Sequence, residues 1–393
     1  MSRFSIDHVV DAVRGVTGGP APLHAPEIAG NEWTYVKECL DTAWVSTVGS
    51  YVDRFETMLA EITGSAHAVA AVNGTAALHT CLLLAGVKPG TEVIIPSLTF
   101  VATANAVAYV GAVPHFADVE GDAFGLDAAR LDAHLADVAR RDGDGLVNCL
   151  TGRRLSAVVC MHTFGHACDL DQLVEVCARH GLPLIEDAAE SLGSFYKGRH
   201  TGNHGLLSAV SFNGNKIVTT GGGGAILTND TGLARRAKHL TTTAKIPHPY
   251  EFIHDETGFN YRLPNVNAAI GCAQLERLDD FIQRKRALAE AYARSFDGVA
   301  GVRFVTEPAE RRSNYWLNLF LLDADVAHLR DEVLKALNGA GLMSRPAWRP
   351  MHMLEMFKDA FRMDLSVTED LARRLINIPS SPVLMGPGGT AVG

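Results

Sequence analysis

Short apolar segments alternate with segments of helical spacing through the middle of the chain, and this alternation constrains the fold more than any other feature. HAVAAV (67–72) has the length of a buried strand, and NGTAALHTCLLLAG (73–86) follows it with helical spacing. Strands that are apolar throughout, rather than at alternate residues, are typical of parallel sheets. The alternation therefore predicts an α/β fold, with a mostly parallel sheet covered by helices on both faces.

The same pattern continues to about residue 229. Further strands are predicted at 91–96, 156–162, 183–187, 207–212 and 224–229, and further helices at 102–112 and 170–181. In such sheets ligands bind beyond the C-terminal ends of the strands, so functional residues are expected just after these segments.

The pattern changes after about residue 255. A long helix (263–296) is predicted first, followed by strands at 301–305 and 314–323 and by a helix at 326–341. We predict an N-terminal segment (1–30), a large α/β domain (31–255) and a smaller C-terminal α+β domain (256–393).

Composition excludes several classes of function. The formal net charge of -9 argues against a nucleic-acid or anionic-membrane partner, which would require a basic surface. No apolar run approaches the length of a signal sequence or of a membrane span. The seven cysteines are scattered, odd in number and form no CxxC, which is typical of reduced thiols in a cytoplasmic enzyme.

Lys216 lies in SFNGNKIVTTGGGG (211–224), between small polar residues and four glycines. A phosphate-binding loop of the G-x-x-x-x-G-K-[ST] type places its lysine after the glycines, and here the lysine precedes them. A lysine on a solvated turn is the ordinary alternative. We expect the glycines to let the backbone pass close to a cofactor or to a partner subunit.

Two further sites follow predicted strands. Gly74, Thr75 and Ala76 begin a helix after Asn73, where free N–H groups and the helix dipole suit a phosphate, although a simple helix cap is equally compatible. Asp187 ends the apolar strand PLIED, and Glu190 follows it three residues later. Paired carboxylates also serve glycosidases, but the low aromatic content disfavours a sugar cleft.

Together these residues match what pyridoxal phosphate requires. A lysine forms a Schiff base with the aldehyde, an aspartate keeps the pyridine nitrogen protonated, and a helix N-terminus holds the phosphate. Phe100, in a strand-to-helix loop, is placed to stack on the ring. The pairs His162/His166 and His200/His204 are interrupted by glycine and do not form helical ligand pairs, so no metal is expected.

The chain resembles the DegT-type sugar aminotransferases, which are fold type I pyridoxal-phosphate enzymes. Motifs along most of the chain carry the resemblance, in order and at family-like spacing: residues 31–56, VNGTAALH (72–79), 96–114, HTFGHACDLD (162–171), IEDAAESLGS (185–194), SFNGNKIVTTGGGGAI (211–226) and 258–279. FNGNK, TGGGG and RPAWRP (345–350) are most similar to the branch linked with legionaminic-acid-type sugars.

The resemblance implies a fold type I architecture with a seven-stranded, mostly parallel sheet. It also implies that Lys216 is the Schiff-base lysine and moves the proton, and that Asp187 pairs with the pyridine nitrogen. Glu190 stands where the family often has histidine or glutamine beside the ring hydroxyl. Other implied contacts are with the phosphate (Gly74, Thr75, Ala76, Ser211), the ring (Phe100), a neighbouring subunit's phosphate (Asn260) and the nucleotide sugar (Trp348, Arg349, His352).

The implied function is a transaminase that acts as a homodimer with shared active sites. It would move an amino group from L-glutamate to a nucleotide-linked 4-keto-6-deoxy sugar, for surface glycan, lipopolysaccharide or nonulosonic-acid biosynthesis. Dehydratases of the family carry histidine at the lysine position, so Lys216 favours transamination. Two alternatives stay open: a non-catalytic or regulatory pyridoxal-phosphate protein, and a nucleotide-binding protein that uses Lys216 on phosphates.

Overall fold

A computed structural model describes residues 4–143 and 145–386. The helices are α1 (Ile6–Thr17), α2 (Glu32–Asp41), α3 (Ser50–Thr63), α4 (Gly74–Leu84), α5 (Val101–Tyr109), α6 (Ala128–Val138), α7 (Leu170–His180), α8 (Thr231–Thr241), α9 (Asn265–Leu275), α10 (Leu278–Phe296), α11 (Arg330–Gly339) and α12 (Ser366–Arg374).

The first eleven strands are β1 (His67–Ala71), β2 (Glu92–Pro96), β3 (Val113–Ala117), β4 (Ala139–Asp142), β5 (Gly145–Asn148), β6 (Arg154–Met161), β7 (Leu184–Asp187), β8 (Phe195–Tyr196), β9 (Arg199–His200), β10 (Leu207–Ser211) and β11 (Gly224–Thr228). The others are β12 (Lys245–Ile246), β13 (Ile253–His254), β14 (Val302–Phe304), β15 (Arg311–Arg312), β16 (Asn318–Leu322), β17 (Arg345–Pro346) and β18 (Leu375–Ile378).

The main sheet confirms the predicted fold class. Seven strands lie in the order β1-β11-β10-β7-β6-β2-β3, and β11 alone among these seven runs antiparallel to its neighbours. The antiparallel hairpin β4–β5 joins the edge of β6 and brings the described sheet to nine strands. The predicted strands at 67–72, 91–96, 156–162, 183–187, 207–212 and 224–229 correspond to β1, β2, β6, β7, β10 and β11.

Helices cover both faces of this sheet because successive side chains of each buried strand point to opposite sides. Ile95 and Val159 pack into a cluster that includes α4, α5 and α8. Their neighbours Ile94 and Val158 pack on the opposite face with α6 and α7. Farther along that second face, α3 and α9 pack against β10 and β11. Apolar strands thus serve two cores at once.

The smaller sheet is antiparallel, with the order β14-β16-β18-β17. It packs with α1, α10 and α11, so a helix of the predicted N-terminal segment contributes to this second core. The division of the chain into three parts stays a prediction, and residues 387–393 of the predicted C-terminal domain lie outside the described residues.

The single helix predicted at 263–296 is wrong, since two helices occupy this range. α9 ends at Leu275 and α10 begins at Leu278, because the backbone of Arg277 leaves the helical conformation (φ -109°, ψ 2°). The Arg277 guanidinium binds Glu27 at 2.6 Å across this turn. The turn separates a helix that packs on α2 and α3 from one that packs on α1. Within the described residues, no helix combines the length and apolar composition needed to cross a bilayer.

Candidate active site

A cavity of about 330 Å³ opens where β6, β7 and β10 end and where α4 begins. This is the edge at which sheets of this kind bind ligands. Its walls include eight residues proposed from the sequence: Gly74, Thr75, Phe100, Asp187, Glu190, Ser211, Lys216 and Trp348. The fold therefore brings together residues that are separated by up to 274 positions in the chain.

Lys216 lies in the turn after β10 and extends its amine into the cavity, with its side chain 11% exposed. The amine Nζ donates to Glu190 Oε1 at 3.1 Å. It also lies 4.0 Å from the centre of the Trp316 ring, in cation–π geometry. The amine is thus held inside the site rather than on a solvated turn.

Asp187 is the last residue of β7 and is buried. Its Oδ2 accepts a hydrogen bond from Thr103 Oγ1 at 2.8 Å, and its Oδ1 accepts from the Ala189 N–H at 3.2 Å. Burial raises the pKa of this carboxyl, while the hydrogen bond from Thr103 opposes the rise. A buried carboxylate of this kind is stabilised by a cationic N–H donor in the cavity.

Glu190 is 2% exposed and has two hydrogen-bond donors. Besides the Lys216 amine, the Phe164 N–H donates to its Oε2 at 2.9 Å. Burial raises the pKa of Glu190 to about 7, although Lys216 and the Phe164 N–H favour the ionised form. Its charge therefore changes near neutral pH.

The start of α4 forms one end of the cavity, where free N–H groups suit an anion. Asn73 Oδ1 accepts the Ala76 N–H at 2.7 Å, so Ala76 is used by the cap and does not line the cavity. Gly74 and Thr75 lie in the first turn, where a helix has no carbonyl to accept their N–H groups. A Cβ added to Gly74 would lie 2.8 Å from Ser211 Cβ, so this helix start and the Ser211 hydroxyl meet.

Aromatic rings form the mouth of the cavity. The Trp348 ring stacks on Phe164 with centroids 4.7 Å apart, and it lies 6.2 Å from Phe100. Phe100 is 48% exposed and precedes the first residue of α5, as the strand-to-helix loop predicted. The rings of Phe100 and Trp348 form an apolar surface in the same cavity as Lys216.

Besides Ala76, three residues proposed from the sequence lie outside this cavity. Asn260 is exposed and its backbone bridges to Thr242. Arg349 is also exposed. His352 is buried, with Nδ1 2.7 Å from Ser97 Oγ and Nε2 3.2 Å from Glu369. His352 thus connects two parts of the chain and does not face the cavity.

Sequence reasoning missed Trp316 and the other lining residues Leu78, Ala102, Met161, Ala189, Asn213 and Asn215. Trp316 Nε1 donates to the Asn215 carbonyl at 2.8 Å, which fixes the indole beside the lysine. The segment NYWLNLFLLD predicts a strand through this residue, whereas β16 begins two residues later. Nothing in that segment indicates that Trp316 contacts Lys216, which lies one hundred residues earlier in the chain.

One histidine of each HxxxH pair forms hydrogen bonds within the protein. His162 Nε2 lies 3.0 Å from Glu186 Oε2, while its Nδ1 accepts the Cys168 N–H at 3.2 Å. His200 Nε2 accepts the Gly193 N–H at 2.7 Å.

The cavity fits pyridoxal phosphate. Its volume lies within the roughly 300–1,000 Å³ of small-molecule sites. It combines an amine on Lys216, a buried carboxylate on Asp187 that accepts an N–H, and a helix start beside a hydroxyl for a phosphate. These are the three groups that the cofactor's aldehyde, ring nitrogen and phosphate require.

The family model for the DegT/DnrJ/EryC1/StrS aminotransferases matches residues 26–388. The chain belongs to this family. It is accordingly a pyridoxal-phosphate-dependent aminotransferase, and the predictions of family, fold, enzyme class and cofactor are confirmed.

Similar proteins cover almost the whole of this aminotransferase. GDP-perosamine synthase of Caulobacter vibrioides is 39% identical over 359 residues, 91% of this chain and 92% of that protein. GDP-perosamine synthase of Escherichia coli O157:H7 is 37% identical over 363 residues, 92% of this chain and 94% of that protein. The crystal structure of DesI with its TDP-sugar product has a TM-score of 0.79 and 30% identity, covering 94% of this chain and 91% of that chain.

Proposed function

We propose that this aminotransferase moves the amino group of L-glutamate to C4 of a nucleotide-linked 4-keto-6-deoxy sugar, giving a 4-amino sugar for surface glycan or nonulosonic-acid biosynthesis. The observation that carries the proposal is the position of the Lys216 amine, in one cavity with Asp187 and the start of α4. Two relatives named GDP-perosamine synthases and a neighbour solved with a TDP-sugar product support a nucleotide sugar as the acceptor.

When bound, pyridoxal phosphate carries the amino group between the two substrates and withdraws electrons from the carbon that loses a proton. Lys216 would anchor it and, once its amine is free, hold and move that proton at Nζ. Asp187 would keep the ring nitrogen protonated by accepting its N–H. The first turn of α4 and Ser211 would bind the phosphate, and Phe100 would cover the ring.

The acceptor is proposed to enter past the aromatic mouth. Trp348 lines the cavity and offers its ring to the sugar or the nucleobase, and Arg349, exposed beside it, offers a charge to the phosphates. His352 is not proposed to contact substrate, because Ser97 and Glu369 occupy its ring nitrogens.

A second copy of the chain is proposed to complete each site. Asn260 is exposed and lies outside the cavity of its own chain, as a residue that serves a neighbouring site would. The hairpin β12–β13 next to it exposes Tyr250 (91%) and Phe252 (79%), large apolar side chains that a partner would cover. We place the reaction in the cytoplasm, where seven free cysteines would remain reduced.

The test is incubation of the purified protein with L-glutamate and a panel of keto-sugar nucleotides, starting with GDP-linked sugars, with the product identified by mass and NMR. Lys216→Ala is expected to abolish turnover. Lys358→Ala removes an exposed lysine that pairs with Glu355 at 2.6 Å, and it should leave turnover unchanged. Failure of L-glutamate to convert the cofactor to its amine form would refute L-glutamate as the amino donor.

A further inference from the structure

The Lys216 amine is enclosed by two side chains that favour its protonated form. Glu190 Oε1 accepts a hydrogen bond from Nζ at 3.1 Å, and the centre of the Trp316 ring lies 4.0 Å from Nζ. Both side chains are nearly inaccessible to solvent, at 2% and 4% exposure. Because a carboxylate and an indole face both attract a cation, and water is largely excluded, the two contacts act together.

Both partners of the amine are held by one residue. Asn314 Nδ2 donates to the Glu190 backbone carbonyl at 2.9 Å, and Asn314 Oδ1 accepts the Trp316 backbone N–H at 2.8 Å. The Phe164 N–H fixes the carboxylate, and the Asn215 carbonyl fixes the indole. The position beside Glu190 and Trp316 therefore exists independently of where the lysine points.

Few other charges act at this position. Asp187 adds a second negative charge to the cavity and disfavours ionisation of Glu190. His24 from the N-terminal segment has buried ring nitrogens, and burial, followed by Lys285 and Lys216, holds its pKa well below the usual range. His24 is therefore neutral, so Glu190 is the closest compensating charge for the amine among the described residues.

We propose that Glu190 and Trp316 form a holding site for the protonated amine of Lys216, with Glu190 as its counter-ion. This inference rests on the proposed function, in which Lys216 carries a proton. When the free amine accepts that proton, the C–H bond of the carbon that loses it breaks, an N–H bond forms on Nζ, and the ionised Glu190 neutralises the new charge. When the amine releases the proton, the N–H bond breaks, a C–H bond forms at the carbon that receives the proton, and Glu190 remains ionised. Glu190 and Trp316 thus act through Lys216 as positioning residues.

A different role would follow if Glu190 served the ring hydroxyl of the cofactor alone. In that case its removal would alter cofactor affinity and leave the titration of Lys216 in the cofactor-free protein unchanged. The two roles are separated by an experiment on the amine itself, in the full-length chain without cofactor.

The experiment is competitive acylation of the cofactor-free protein over a pH series, with the modification of Lys216 measured by mass spectrometry. Glu190→Gln is expected to lower the pH at which half the amine is deprotonated by at least about one unit, a tenfold change in equilibrium. Trp316→Leu should lower it by about half as much. Trp316→Leu also provides the measurement if Glu190→Gln does not fold.

Lys358 supplies a matched control in the same chain. It pairs with Glu355 at 2.6 Å, but both side chains are exposed (54% and 86%). Glu355→Gln should move the titration of Lys358 by no more than a few tenths of a unit, because solvent screens an exposed pair. Equal small shifts at both lysines would overturn the holding site.

The loaded enzyme gives a second readout. As pH falls, kcat should decrease when Glu190 becomes protonated. Its pKa is about 7, so the counter-ion is present above that pH and is lost below it. Glu190→Gln should remove this decrease and lower kcat roughly tenfold or more. An unchanged decrease in Glu190→Gln overturns the proposal. A protein that shows the acylation shift but no reaction with glutamate keeps the holding site and refutes the proposed transamination.

Discussion

Gly165 is a position where one added methyl group is expected to disturb the active site. Its φ is +97°, in the left-handed region. A Cβ there would overlap Asn314 Oδ1 and lie 2.9 Å from the Trp316 nitrogen. Because Asn314 holds both Glu190 and Trp316, the methyl group acts on the surroundings of Lys216 without touching the lysine.

The expected loss of stability follows from the hydrogen bonds that Asn314 must break in order to move. Its side chain makes three buried hydrogen bonds: to the carbonyls of Glu190 and Leu192, each at 2.9 Å, and from the Trp316 backbone N–H at 2.8 Å. At about 1 kcal/mol for each bond, the loss is about 3 kcal/mol. The left-handed backbone adds about 1 kcal/mol, so Gly165→Ala should destabilise by about 4 kcal/mol.

Gly86→Ala separates the two contributions. Gly86 has a φ of +85°, and a Cβ there would meet nothing within 4 Å, so this variant should lose about 1 kcal/mol and keep its activity. The assay is the urea midpoint of each variant, together with a titration of pyridoxal phosphate followed by absorbance. Equal midpoints and equal cofactor affinity in the two variants would refute the role given to Asn314.

Two further predictions concern histidines that the active site does not use. His352→Ala should lower the free energy of unfolding by about 2 kcal/mol, through the loss of hydrogen bonds to Ser97 and Glu369, and leave KM for the sugar within about threefold. A larger rise in KM, as expected for Trp348→Ala, would restore a substrate role. Burial lowers the pKa of His200 to about 4. As pH falls from 6.5 to 4, His200 therefore binds a proton in the unfolded chain but stays neutral in the folded protein, which destabilises the fold. Urea unfolding should therefore show about 3 kcal/mol lost over this range in the wild type and not in His200→Gln; parallel pH curves would contradict the assignment.

The sequence predicts the main sheet and the cofactor end of the site for one physical reason. Asp187 and Ser211 end strands that are almost entirely buried, and parallel strands place such ends along one edge. A residue that follows a strand is therefore located by a local pattern. Lys216 follows the same logic, since a short turn connects it to β10.

The surroundings of the amine could not be predicted in this way. Asn314 donates to the Glu190 carbonyl across 124 residues, and the Trp316 ring contacts the Lys216 amine from a similarly distant part of the chain. Their segment is apolar, as any buried strand would be, and no local signal separates a packing tryptophan from one that faces an amine. Tertiary contacts alone assign them to the site.

The four glycines after Lys216 were expected to let the backbone approach a cofactor or a partner subunit. For Gly224 the structure gives a nearer reason. A Cβ on Gly224 would overlap the Asn73 carbonyl and lie 2.6 Å from the Gly74 nitrogen, so the first residue of β11 packs directly on the start of α4. A side chain there would push the anion-binding turn away from Ser211. At Gly222, by contrast, a Cβ would meet nothing within 4 Å, so the close approach does not require the whole run to be glycine. Gly224 thus lets the start of β11 approach the start of α4, where the phosphate is proposed to bind.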